Sequence, residues 1–184
     1  MNNEIQTFSG GYFNFRAPEA HHFDIYDIAH ALSNICRFTG HTTAFYSVAQ
    51  HCALVSLIVP KPLALKALLH DAAEAYLGDV SAPLKAVLPD YKAIENRVER
   101  ALLAHFGVDP TFDPIIKHAD LRALVTESRD LMVRPIEIPG VEPTAYSITP
   151  LSPGEAALVF LQRFHELMQV SRTPRDLARC LGDV

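Results

Sequence analysis

Ala67-Leu68-Leu69-His70-Asp71-Ala72-Ala73-Glu74 is the stretch on which the reading of this chain turns. Its alanines and leucines are strong helix formers. They predict a helix over 62–77, opened by Pro62 and stopped at Gly78. An imidazole and a carboxylate side by side on so apolar a run are costly to bury without hydrogen bonds or a cation to compensate. A divalent metal satisfies both groups at once. For an isolated His-Asp pair, a solvated helix edge does so equally well.

On either side of it, apolar residues recur at helical spacing along most of the chain. Asp24 or Asp27 caps a short helix ending at Asn34, with Ile25, Ile28, Ala29 and Leu32 as its stripe. A helix over 44–59 carries Val48, Cys52, Val55 and Val59, and Pro60 and Pro62 close it. Ile94, Val98, Leu102 and Phe106 mark a helix over 91–106, and another spans 114–132. Ala157, Phe160, Leu161, Phe164 and Met168 define a long helix over 153–170, and Thr173-Pro174 opens a short terminal one. Residues 5–20 read as an irregular, partly extended arm. The proline-rich segment 134–153 reads as a long loop or small hairpin, and loops of that length are usually functional or flexible. The fold class predicted is all-α, a compact helical bundle with a minor β-hairpin or extended loop near 134–150. One domain covers 1–184, with a core over 24–132, an N-terminal arm over 1–23, and a C-terminal loop and helices over 133–184.

The bulk composition narrows the function classes. The 184 residues are 49% apolar and 20% charged, ordinary for a soluble globular protein, and the net charge is −5. With no basic stripe, a nucleic-acid polymer or an anionic membrane is disfavoured as the main partner. A small phosphorylated ligand needs only one or two local cations. Cys36, Cys52 and Cys180 form no metal spacing, and so sparse and odd a count suits a reducing compartment. Met1-Asn2-Asn3-Glu4 lacks the basic and apolar regions of a signal peptide, and no apolar run approaches a membrane span. These features predict a cytoplasmic location. The apolar helices over 44–59 and 153–170 leave homo-oligomerisation open.

Four residues on three predicted helices have the chemistry to share one metal: His51, His70, Asp71 and Asp120. Two imidazoles and two carboxylates suit Mn, Co, Fe, Zn or Ni better than Ca. On a six-coordinate ion they leave room for water and a phosphate oxygen. Singly, His51 reads equally as a core histidine, and Asp120 as a surface carboxylate paired to Arg122 or Lys117. Glu74 shares the helical side of the His-Asp pair. Asp79 follows Gly78 at a helix C-terminus, where a carboxylate is electrostatically misplaced unless the Gly-Asp turn itself uses it. Arg37, before a glycine turn, suits a phosphate clamp or a helix-end cation.

In this order, Arg37-Phe38, Ser47 to His51, His70-Asp71-Ala72-Ala73-Glu74, Gly78-Asp79, Pro83-Leu84-Lys85, Tyr91 to Glu95 and Lys117 to Asp120 resemble the HD-domain metal-dependent phosphohydrolase superfamily. The likeness runs over about 28–132. It is nearest to the small 5′-deoxynucleotidases and the phage-type deoxynucleotide phosphohydrolases. The resemblance implies that His51, His70, Asp71 and Asp120 bind one divalent transition metal. It implies that Glu74 and Asp79 act on the water and the leaving oxygen. Arg37, Phe38 and Lys85 would then be substrate-binding, with Arg37 on the phosphate. A phenylalanine, Phe38, stands where that group has the tryptophan that packs on the sugar.

The activity so implied is removal of phosphate from nucleotides, foremost deoxynucleoside 5′-monophosphates. One alternative is a deoxynucleoside triphosphate triphosphohydrolase, with Lys85, Lys92 and Lys117 supplying cationic room. Another is a catalytically idle scaffold that binds a nucleotide or a partner protein. A guanosine-alarmone hydrolase would add a Glu-Asp pair that is missing here. His105 and His118 do not continue the ligand set, and His21, His22 and His41 read as surface residues.

Overall fold

The computed structural model describes residues 3–171. It is mostly helical with one small two-stranded sheet. Strands β1 (Glu4–Gln6) and β2 (Tyr12–Asn14) pair antiparallel, with Ile5 opposite Phe13. Each strand is three residues long, too short for alternation to show in the sequence. The arm over 1–23 therefore holds the β element. Segment 134–150 contains no strand, so its extended-loop alternative is the one that stands. Cys180 and the terminal helix expected from Thr173-Pro174 lie outside the described residues.

Eight α-helices follow among the described residues. Helix α1 (Ile25–Asn34) is capped by Asp24, whose side chain accepts from the Tyr26 amide. Helix α2 (Val48–Ile58) is capped by Ser47, which accepts from the Gln50 amide. It starts four residues later than its apolar pattern suggests, because the chain before it is extended. Cys36 bridges Ser47 there, and the Arg37 amide donates to the Tyr46 carbonyl at 2.8 Å. Helix α2 packs against α1, α3 (Ala64–Leu68), α7 (Pro114–Leu131) and α8 (Pro153–Ser171). That position accounts for an apolar surface nearly all round it.

The helix expected over 62–77 is broken. Helix α3 ends at Leu68 and α4 covers only Glu74–Leu77, with turns between them. In a continuing helix the Asp71 amide would use the Ala67 carbonyl. That carbonyl instead lies 2.8 Å from His70 Nδ1. Beyond it the backbone closes three-residue bonds, Ala72 to Leu69 and Glu74 to Asp71 among them. A tertiary demand on His70 has overridden local helix propensity.

Helices α5 (Ala82–Lys85) and α6 (Pro89–His105) lead to a loop and then to α7, whose cap Asp113 accepts from the Ile115 and Ile116 amides. Ile28, Leu32, Val48, Cys52, Leu68, Leu69, Leu102 and Phe160 are fully buried in the main core. The long loop after α7 is pinned along that helix. The Thr144 amide donates to Thr126 Oγ1, Arg129 donates to the Thr144 and Tyr146 carbonyls, and the Ile148 amide donates to Asp130. No helix among the described residues is long and apolar enough to cross a membrane.

Candidate metal centre and cavity

The break between α3 and α4 turns His70 and Asp71 toward α2 and α7, where His51 and Asp120 face them. His51 Nε2 lies 3.5 Å from Asp71 Oδ2 and 3.3 Å from Asp120 Oδ1. His70 Nε2 lies 3.2 Å from Asp71 Oδ2 and 4.0 Å from Asp120 Oδ1. Donor atoms held about 2.1 Å from one ion stand roughly 3.0–3.4 Å apart when adjacent. Three of the four imidazole–carboxylate separations are near that spacing, and the fourth, at 4.0 Å, exceeds it. His51, His70 and Asp120 form a group able to hold a metal ion, as do Asp71, His70 and Cys52.

The two imidazoles bear most directly on whether the cluster could take a metal. His51 Nε2 and His70 Nε2 are both buried and have no hydrogen-bond partner. Their other nitrogens are anchored, His51 Nδ1 on Glu127 Oε1 at 2.6 Å and His70 Nδ1 on the Ala67 carbonyl at 2.8 Å. With each Nδ1–H donating outward, it is Nε2 that faces the cluster, placed to present a lone pair once its proton is displaced, the arrangement of metal-bound histidine. Cys52 is a less suited donor. Burial pushes its thiol up to about 11, so it stays protonated and packs as a small apolar group.

Asp120 serves two partners, which joins its two sequence readings. Its Oδ2 accepts from Lys117 Nζ at 2.8 Å while Oδ1 faces the histidines. Burial alone would raise the Asp120 carboxyl, but His51 and His70 hold it well below the ordinary carboxylate range. Asp71 is lowered for the same reason, its burial outweighed by both imidazoles.

Glu127 is the residue the sequence reading missed. It is 0% exposed, and its carboxylate accepts from Tyr46 Oη at 3.0 Å and Arg37 Nη2 at 3.3 Å besides meeting His51. Burial tends to raise this carboxyl, yet His51 and Arg37 more than offset it and keep it ionised. The available signal was its place seven residues after Asp120, two turns along one face of α7.

A cavity of about 510 Å³ opens beside the cluster, between α6, α7 and the α3–α4 turn. His70, Asp71, Glu74, Lys85 and Asp120 line it. Glu74 Oε1 accepts from Lys85 at 3.3 Å, while its buried Oε2 has no partner. Burial, then Asp71 and Asp79, push the Glu74 carboxyl up to about 8. Lys85 also pairs with Glu95.

Arg37, Phe38 and Asp79 do not line this cavity. Arg37 sits behind the cluster, 3.9 Å from Asp71, with its Nε buried and unpartnered. Phe38 and Thr39 adopt left-handed backbone at φ 53° and 54°, and the Phe38 ring lies 5.4 Å from the Arg37 guanidinium carbon. Asp79 follows Gly78, whose φ of 78° only glycine adopts readily, and burial raises its carboxyl. His118, His105, His22 and His41 are exposed. His21 departs from its surface reading, since its ring packs edge-on against Phe13, Phe23 and Tyr76.

No family model matches the chain. It is 42% identical over 174 residues to the uncharacterized protein YfdR of Escherichia coli strain K12, spanning 91% of this chain and 97% of that one. It is also 35% identical over 121 residues to an uncharacterized protein of Rhodobacter capsulatus, spanning 60% of this chain and 62% of that one.

Proposed function

This chain belongs to the same family as Escherichia coli YfdR, and we propose that it is a metal-dependent phosphohydrolase acting on nucleotides, foremost deoxynucleoside 5′-monophosphates. The reading joins the resemblance to HD-domain phosphohydrolases with one observation. Two buried, unpartnered imidazole nitrogens converge with two carboxylate oxygens at the edge of a nucleotide-sized cavity. His51, His70, Asp71 and Asp120 would hold one divalent transition metal of the Mn, Co, Fe, Zn or Ni group. Such an ion supplies Lewis-acid polarisation of a phosphate oxygen and a more acidic water.

The chain's own groups divide the remaining work. Glu74 Oε2 is desolvated and basic for a carboxylate, suited to take a proton from the attacking water. Lys85 holds the other Glu74 oxygen in place and is itself anchored by Glu95. Arg37 stands behind Asp71 as a fixed positive charge, which offsets the negative charge gathered there. Asp79 adds a second carboxylate near Glu74 and helps to keep that group basic.

Charge balance favours monophosphates over triphosphates. Six carboxylates line the cavity against four cations, and Lys85 and Lys117 are already paired with Glu74, Glu95 and Asp120. A triphosphate would bring further negative charge, with only Lys66 and Arg100, which donate to backbone carbonyls, left to meet it. The test is phosphate release from deoxy- and ribonucleoside mono- and triphosphates, with and without Mn or Co. Metal-dependent release that favours deoxynucleoside monophosphates supports the proposal. No release from any of them, with metal bound, overturns it in favour of a binding scaffold.

A further inference from the structure

Two helices present whole stripes to the cavity. From α6 come Glu95, Asn96, Glu99, Arg100 and Leu103, and from α7 with its cap come Asp113, Ile116, Lys117 and Asp120. The second set is spaced i, i+3, i+4, i+7, so the cavity runs along the first two turns of α7. Asp120 marks the cluster end. The cap Asp113 lies about 10 Å away along the helix axis at 1.5 Å per residue. A mononucleotide spans such a distance from its phosphate, through its sugar, to its base.

Phe112 stands at that far end. Among the described residues lining the cavity it carries the one phenyl, phenol or indole ring, and it is 78% exposed. The backbone on both sides of it is fixed. Asp109 accepts from the Thr111 amide at 3.1 Å and the Thr111 hydroxyl at 2.6 Å, Lys66 Nζ donates to the Thr111 carbonyl, and Asp113 caps α7. A large apolar ring held in water on a pinned loop is ready to stack, with little loop entropy left to lose on binding.

We propose that Phe112 is the platform on which the nucleobase stacks while the phosphate lies at the metal cluster, making it a substrate-binding residue for nucleotides as opposed to simple phosphomonoesters. The proposal rests on the phosphohydrolase reading. Stacking tolerates any base, so Phe112 supplies affinity for nucleotides as a class and little choice among bases.

Two arms test it, and they separate its failure from failure of the hydrolase reading. In the first, kcat/KM is measured for thymidine 5′-monophosphate and for deoxyribose 5-phosphate, which lacks a base. Phe112→Ala lowers the ratio of the two about ten- to hundredfold, and Phe112→Trp restores it. A ratio unchanged within about twofold overturns the proposal. The second arm needs no turnover. The chain has no tryptophan, so Phe112→Trp carries a single indole at the cavity. Its fluorescence is quenched by thymidine 5′-monophosphate and not by deoxyribose 5-phosphate. Quenching without phosphate release keeps the platform and discards the hydrolase reading; no quenching by the nucleotide overturns the platform.

Discussion

Glu127 Oε1 lies 2.6 Å from His51 Nδ1, on the side of the ring away from the metal cluster. This contact sets the tautomer of His51 and aims its Nε2 at Asp71 and Asp120. Arg37 and Tyr46 in turn fix the carboxylate. Glu127→Gln keeps the shape and loses the charge, so metal affinity falls about 10–100-fold. Glu127→Ala leaves the buried Arg37 charge without its hydrogen-bonded carboxylate, with Asp71 at 3.9 Å the ion pair that remains, and costs about 3–5 kcal/mol of stability. Metal retained after dialysis against a weak chelator checks the first, and urea denaturation the second. Unchanged metal retention in Glu127→Gln would show that the contact does not orient His51.

Ligand and base are separable. Asp71→Ala removes an oxygen facing both histidines, so metal content and turnover disappear together. Glu74→Gln leaves the four-residue cluster intact, so it retains metal and loses turnover, with a fall in kcat of about 10²–10⁴-fold. Metal analysis beside phosphate release reads both. Full metal and full activity in Asp71→Ala would contradict the ligand set.

The cluster also fixes how metal affinity depends on pH. In the metal-free protein, burial pushes His51 down and Arg37 does the same, but Glu127, Asp120 and Asp71 outweigh them and hold it well above 6.5. His70 is raised in the same way, its burial overcome chiefly by Asp71. A raised histidine pKa means that the metal-free protein keeps protons at neutral pH that a cation must displace. Affinity for Mn²⁺ therefore rises with pH, by up to about tenfold per unit for each proton released. Calorimetric titrations in buffers of different ionisation enthalpy measure that release, and a pH-independent affinity would contradict it.

Thr39 is a β-branched residue at φ 54° on an exposed stretch, a left-handed conformation that costs roughly 1–2 kcal/mol. Asparagine tolerates that region better. Thr39→Asn accordingly raises stability by about 0.5–1 kcal/mol in urea denaturation. A loss of stability would mean that the threonine makes a compensating contact.

The clustered residues were legible because His70-Asp71 on an apolar run, followed by Asp120, is a chemical type that burial alone does not explain. Glu127 was not, because a carboxylate on a helix is ordinarily solvated and only the packing of Arg37, Tyr46 and His51 around it shows otherwise. Most helices followed from periodicity and caps. The exception was 62–77, where alanine and leucine propensity gave way to the bond between His70 and the Ala67 carbonyl. The β1–β2 pair escaped notice because three-residue strands carry no readable alternation.

Metal-dependent phosphate release is tested most directly by titration of Mn²⁺ into metal-free protein, with bound metal and phosphate released from a deoxynucleoside 5′-monophosphate measured on the same samples. One ion is expected to bind per chain, with release appearing in step with it. Phosphate release with no bound metal, or one ion bound per chain with no release, would contradict it.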